Sequence, residues 1–331
     1  MTISATIIED SVGGLSPRLT TMLVRYPRII HSEMMTHRVF SRSAASSRAI
    51  PVAKLIENVT TQPFVPMFWG ANQPGMQAGP EHDATVFVKR PMAELSAFDE
   101  DKMPEPVLGW WDAKLTREDA WLIARDQAVT AARGFADAGY HKEIVNRLLE
   151  PFSYITVLIT STYWQNFFRL RNHPKAEPHM RLLAETMQKA LDESKPRLLV
   201  PGDWHLPFLN VDDWTTIRAA NPYEAKESAA LAVQGRVDDA IRLSVARCAS
   251  TSYKTVDGHD MTLERAREVY YGLLGEDPIH ASPAEHIAQA DEATGKKLQK
   301  WRHQHLRGNF APGWIQYRKT LLNEAFMEGQ L

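Results

Sequence analysis

Cysteine is what this sequence most lacks. Of its 331 residues only Cys248 is one. An internal disulfide is impossible, and so is a cysteine-built zinc site. A disulfide-stapled secreted fold is thereby excluded, and a reducing compartment, the cytoplasm, is expected. Charge of one sign is missing too: 38 Lys+Arg stand against 40 Asp+Glu, a formal net charge of −2. That excludes the basic excess of a dedicated nucleic-acid polymer binder. It leaves room for a nucleotide-sized anion, which needs only a few placed arginines. No long hydrophobic run exists. The apolar stretch at 154–159 is too short to span a bilayer, so no membrane partner is expected. Residues 1–10 have neither the basic region nor the apolar core of a signal peptide.

Familiar site motifs are absent as well. No GxGxxG follows a strand, and no GxxxxGK[ST], HExxH or GxSxG occurs. Twelve histidines are present, yet no metal site is expected. His303 and His305 could ligate a metal only if they shared a strand, and a solvated pair is the simpler account. Cys248 has no local catalytic context and reads as a buried, inert thiol.

What is there is a chain of mixed periodicity. Residues 3–9 predict a strand, and residues 19–30 contain another apolar run. Residues 61–110 hold seven of the 20 prolines, which predicts a long irregular insertion held down by Phe64, Phe68, Trp69, Trp110 and Trp111. Thr116-x-x-Asp119 starts a helix over 117–138 that Gly139 stops. Further helices are expected at 141–149, 178–193, 222–247 and 262–274, with a short one over 283–290 from Pro283. Residues 152–170 are apolar and β-branched, turning helical at 165–171. Residues 201–210 read as a loop. Together these predict one elaborated α/β (α+β) domain over 1–331, helix-rich around a central, mostly antiparallel sheet.

The arginines carry more. Residues 41–49, SRSAASSRA, are small enough to let a ligand approach, or simply form a polar turn. Arg38 and Arg48 bracket Ser41, Ser43, Ser46 and Ser47, and guanidinium forks with serine hydroxyls suit phosphate oxygens. Arg147 and Arg171 each close a predicted apolar element and need a partner there.

The run His37-Arg38-Val39-Phe40-Ser41-Arg42-Ser43-Ala44-Ala45-Ser46-Ser47-Arg48 resembles the signature of the flavin-dependent thymidylate synthases, RHRxxSxNExSxR. Thr36, Ser43 and Ala44 depart from it. Asn146-Arg147-Leu148-Leu149-Glu150-Pro151 is similar to that family's AR-x-x-LP segment. Gln165 to Arg171 is similar to its MNFLNLR segment, and Lys175 to His179 to its HAQ-x-E segment, with Glu177 in place of Gln. Two further segments resemble family motifs that normally precede the signature. They are Cys248-Ala249-Ser250-Thr251-Ser252-Tyr253 and His280-Ala281-Ser282-Pro283-Ala284-Glu285-His286, both near the C-terminus here. The motif order is circularly permuted, which predicts that 240–290 folds back beside 25–48.

The resemblance implies a family fold in permuted form and transfer of a one-carbon unit from methylenetetrahydrofolate to C5 of a deoxypyrimidine monophosphate. FAD is the implied cofactor, NADPH the implied reductant, and dUMP to dTMP the implied conversion. It places Glu33, Ser46, Arg48, Arg147 and Arg171 on the nucleotide, with Arg171 and Ser46 in the chemistry. It places His37, Arg38, Ser41, Asn166, His280, Ser282 and Glu285 on the flavin and folate side. It implies a homotetramer. Glu33 and Glu177 stand where glutamine is common, and a carboxylate accepts without donating. If either faced the base, the amino group of dCMP would suit it, and the product could be methylated or hydroxymethylated. A non-catalytic flavin- or nucleotide-binding homologue and a polymer-directed enzyme are the competing classes.

Overall fold

The computed structural model describes residues 3–87, 115–221, 229–251, 261–294, 300–322 and 324, with side chains described from 233 onward in the 229–251 segment. Trp110 and Trp111, Ser252 and Tyr253 lie outside these residues.

The N-terminal third supplies β1 (Ser4–Gly13), β2 (Leu19–Pro27), α1 (His31–Met34), β3 (Ser41–Ala44) and α2 (Val52–Thr61). Then come α3 (Arg117–Asp137), α4 (Lys142–Val145), β4 (Tyr154–Ser161), α5 (Trp164–Arg171) and α6 (Pro178–Glu193). The remainder adds β5 (Arg197–Leu199), β6 (Trp204–His205), α7 (Val211–Ala220), α8 (Ala229–Ser250) and α9 (Leu263–Leu274). It ends with β7 (Ala288–Ala290), β8 (Ala293–Thr294), β9 (Lys300–Trp301) and β10 (Trp314–Gln316). The fold is mixed α/β.

Five strands form the main sheet in the order β3-β4-β2-β1-β5, antiparallel except for the parallel β1–β5 pair. β2 is central and buried on both faces, with Thr20 and Thr21 buried among its apolar residues. Side chains alternate across it. Met22, Val24 and Tyr26 join Val157, Ile159, Trp164, Phe167, Met180 and Leu183 in the core beneath α5 and α6. Leu23 and Leu158 face the other way, into the core built by α7, α8 and α9. A third cluster fastens α2, α3 and α4 together through Leu55, Val59, Val129, Val145 and Phe152. A smaller sheet, β10-β7-β6, lies over the same face of the main sheet as α8.

Helix ends follow local chemistry. Thr116 Oγ1 accepts from Asp119 N at 3.0 Å at the head of α3, and Gly139 turns the chain away at φ +82°. Glu177 caps α6, and Pro178 occupies its first turn.

Several expectations change. The helix expected over 283–290 is a 3-10 turn, Ser282–His286, followed by β7, because Ala288 and Ala290 pair with β10. The loop at 201–210 contains β6. Residues 41–49 are an edge strand followed by a 3-10 turn, Ser47–Ala49, rather than an irregular turn. The 141–149 helix is one α-turn, after which Asn146–Phe152 tightens into a 3-10 helix around Pro151. In the described part of the 61–110 insertion, Phe64 is buried and Phe68 and Trp69 rest edge-on against His179 and Trp121.

Candidate active site

The segment 33–48 contributes to three clusters of polar side chains. The first surrounds the 3-10 turn after β3. Ser46 caps that turn by accepting from Arg48 N at 3.3 Å. Ser47 Oγ and Arg147 Nη1 donate to the same carboxylate oxygen, Glu150 Oε1, at 2.7 and 2.9 Å, with Arg28 Nη1 3.7 Å from it. Arg48 Nη1 lies 3.4 Å from Glu143, and Lys142 Nζ donates to Ala49 O at 3.2 Å. Three arginines (Arg28, Arg48, Arg147) thus meet two carboxylates (Glu143, Glu150), with Lys142 held beside them on a backbone carbonyl. The side chains of Arg48 and Arg147 are 60% and 56% exposed, so most of their N–H donors face solvent. Buried Asn146 fixes the turn by donating to Ser47 O and Ile50 O. Its Oδ1 is buried with no partner among the described residues.

The second cluster forms at the C-terminus of α5, where a cation suits the helix dipole. Arg171 donates to Glu33 Oε2 at 2.8 Å, to His37 Nε2 at 3.0 Å and to Thr36 Oγ1 at 3.3 Å. Burial lowers the His37 pKa to about 4, with the positive charges of Arg171 and Arg42 adding to the effect. The ring is therefore neutral near pH 7, and because Nε2 accepts, its proton sits on Nδ1. His37 packs against Phe40 and edge-on to Phe167. Arg42 holds the preceding turn through Met34 O and Met35 O.

The third cluster joins β3 to the C-terminal segment. His286 Nε2 lies 2.9 Å from Ser43 Oγ. Gln316 Nε2 donates to Ser41 Oγ at 3.1 Å and to Glu285 O at 3.0 Å. The Glu285 carboxylate pairs with Arg318. Residues 282–286 therefore lie beside β3 despite a separation of more than 200 residues in sequence. A Cβ at Gly308, where φ is +55°, would collide with Gln316 Oε1, so glycine is needed there.

The structure thus groups Glu33, His37 and Arg171 in one place, Ser46, Arg48 and Arg147 in another, and Ser41 and Glu285 in a third. Arg38, Asn166, His280 and Ser282 are exposed. Glu177 is differently employed. It accepts from Met180 N at 2.7 Å and from His179 Nδ1 at 2.6 Å, while His179 Nε2 accepts from Met67 N. It is a helix cap and a clamp on the insertion, not a group poised for a base. Glu33 is neutralised by Arg171. Arg28, Lys142, Glu143, Gln316 and Arg318 were not singled out from the sequence, because each acts through a partner distant in the chain.

Cys248 is buried, and burial pushes its thiol pKa up, so it is no nucleophile. His303 hydrogen-bonds Asp291 at 3.0 Å. Among the described residues no group of three or more His, Cys, Asp or Glu side chains is placed to hold a metal, and no helix is long and apolar enough to cross a membrane.

No family model and no curated protein matches the sequence. Among solved structures the chain is similar to a UMP/dUMP methylase, PolB from Streptomyces cacaoi, bound with 5-Br dUMP. Identity is 15% and the TM-score 0.39, over 58% of this chain and 90% of that one. The same methylase bound with 5-Br UMP matches at 14% identity and a TM-score of 0.37, over 58% of this chain and 89% of that one. The flavin-dependent thymidylate synthase ThyX from Helicobacter pylori, complexed with FAD and dUMP, matches at 17% identity and a TM-score of 0.31. There the match covers 52% of this chain and 67% of that one.

Proposed function

We propose that the chain transfers a one-carbon unit from methylenetetrahydrofolate to C5 of a deoxypyrimidine monophosphate, dUMP to dTMP, using FAD and NADPH. One observation carries the proposal. The signature-like segment folds into an edge strand and a turn whose end gathers three arginines around two carboxylates, with Arg48 and Arg147 open to solvent. Such a surplus of guanidinium donors suits a phosphate monoester.

In this assignment Arg48 and Arg147 grip the phosphate, and Ser46 adjoins the nucleotide. Arg171, oriented by Glu33 and His37, faces a pyrimidine carbonyl, where its charge stabilises electron density pushed through the ring. Neutral His37 sets the guanidinium plane without competing for a proton. With Glu177 capping α6 and Glu33 bound to Arg171, both carboxylates have internal partners, which favours uracil over cytosine.

The donor set fits a flavin in part. Arg38, Asn166, His280 and Ser282 are exposed, while His37, Ser41 and Glu285 each hold an internal bond. Ser41 is fully buried, so the exposed side chains are the ones a flavin would meet. When bound, reduced FAD supplies the hydride. The protein supplies binding and orientation. A homotetramer with sites shared between subunits is proposed with this function.

The test is to record the visible spectrum of the purified protein, then incubate it with NADPH, methylenetetrahydrofolate and dUMP or dCMP. Mass spectrometry of the nucleotide should show a methyl gained on dUMP. In Arg147→Ala, KM for dUMP should rise ten- to a hundredfold, the loss of one charged hydrogen bond. Absence of flavin, or of any nucleotide product, would overturn the assignment.

A further inference from the structure

One row of polar side chains crosses the whole main sheet on the face covered by β6 and β7. Register places Ser41 opposite Thr160, Thr160 opposite Thr21, Thr21 opposite Glu9, and Ser11 opposite Arg197. The smaller sheet lowers two histidines onto this row, His205 from β6 and His286 just before β7. The resulting chain is continuous. Ser43 Oγ to His286 Nε2 is 2.9 Å, and His286 Nδ1 to Thr160 Oγ1 is 2.8 Å. Thr160 Oγ1 to Thr21 Oγ1 is 2.7 Å, and Thr21 Oγ1 to His205 Nε2 is 2.8 Å. His205 Nδ1 to Ser11 Oγ is 2.9 Å, and Ser11 Oγ donates to Glu9 Oε1 at 3.2 Å. Glu9 is held by Arg197 at 2.8 Å. Thr160, Thr21, Ser11, His205 and His286 are fully buried, and Ser43 nearly so.

The hydrogen-bond directions follow from one another. Ser11 spends its proton on the Glu9 carboxylate, so it accepts from His205 Nδ1–H. A neutral His205 then accepts at Nε2 from Thr21. Thr21 must accept from Thr160, and Thr160 from His286 Nδ1–H. His286 Nε2 is left to accept from Ser43. The opposite tautomer of His286 would leave the 2.7 Å Thr160–Thr21 contact with no proton in it. All six donors therefore point from β3 toward β1, across sheet spacings that add to ~15 Å.

We propose that this row is a proton relay between Ser43, in the signature-like strand, and Glu9, at the opposite side of the sheet. A proton arriving at Ser43 Oγ sends the one already there to His286 Nε2. His286 Nδ1 passes its proton to Thr160, Thr160 to Thr21, and Thr21 to His205 Nε2. His205 Nδ1 passes its proton to Ser11, and Ser11 to the Glu9 carboxylate. One proton enters, one O–H bond forms on Glu9, no charge remains between, and no electrons move. Resting on the proposed function, the proton delivered is the one that C5 of the pyrimidine loses when the one-carbon unit replaces it. Arg197 and Asp10 face Glu9, and they also face His205 together with His286. The pKa of Glu9 is raised by burial, so it can hold the proton, and its edge reaches solvent for release.

The test is nitrogen NMR of the full-length, histidine-labelled protein, with the Glu9 carboxyl carbon followed across its own titration. Above that titration both rings should carry their proton on Nδ1. Protonation of Glu9 should move both rings to the Nε2–H tautomer with the same midpoint. Glu9→Gln, which keeps an acceptor for Ser11 but cannot take the proton, should hold both rings on Nδ1–H throughout. Thr160→Val should uncouple His286 and leave His205 responding. A His286 ring that is Nε2–H at the outset, or that ignores Glu9, would overturn the relay and leave only a structural network. The readout needs no catalysis. A tautomer switch without nucleotide product would keep the relay and sink the proposed function, and product without a switch would do the reverse.

Discussion

Arg171 shows how far one residue type at one position can be read. Its place after an apolar helix face announced a partnered arginine, and the partners are Glu33, His37 and Thr36. The partners themselves could not be read, since they are more than 130 residues away. Three buried histidines have a consequence at this scale. The pKa of His205 and of His286 is lowered by burial to about 3, and that of His37 to about 4, from 6.5. Between about pH 6.5 and 4 the unfolded chain therefore binds more protons than the folded one, and stability rises with pH. At pH 5 each fully buried ring has given up on the order of 2 kcal/mol. Glu9 opposes this. Its pKa is raised, so its contribution is present below 4.5 and fades as pH rises. One carboxyl against three rings leaves the histidines in control. Thermal melts should show Tm falling steadily from pH 7 to pH 5, and a flat profile would mean the rings are not buried neutral.

At the scale of elements, what carried its own local code was legible. Helices α3, α6 and α9 begin at Thr116, Glu177-Pro178 and Thr262, and each of those caps is a side chain bonding within three residues. α2 and α7 were not foreseen. α7 opens with a capping box between Asn210 and Asp213 and is fixed by the buried Asp213–Arg247 pair, a contact that spans 34 residues. Strands β5, β6, β7 and β10 have two or three residues each and exist only through their neighbours. The serine-rich run 41–44 is a strand for the same reason: β4 pairs it, and Gln316 and His286 satisfy its hydroxyls. Glu177 gives the test at this scale. Glu177→Ala removes the α6 cap and the partner of His179, and should lower stability by about 1–2 kcal/mol in denaturant unfolding. The affinity for dUMP should not change. A loss of nucleotide affinity at unchanged stability would return Glu177 to the binding site.

Across the whole molecule, chain order and spatial order diverge. Residues 282–286 come last among the motif-like segments, yet they lie against β3, which carries the signature-like run. The main sheet brings these segments together. β3 forms its outer edge beside β4, α5 follows β4 directly, and the smaller sheet carries His286 and Gln316 onto β3. The motifs singled out residues of this neighbourhood by type and spacing. They gave neither the counter-ions Glu143 and Glu150 nor the polar row beneath, which are products of sheet register. Both meet in the central claim that C5 of a deoxypyrimidine monophosphate is the reacting atom. The most direct measurement is release of tritium to water from dUMP labelled at C5, in the presence of methylenetetrahydrofolate, FAD and NADPH. The prediction is tritium release that depends on the folate and is lost with deoxyuridine, which lacks the phosphate. Bound flavin and bound dUMP with no tritium in the water would contradict it.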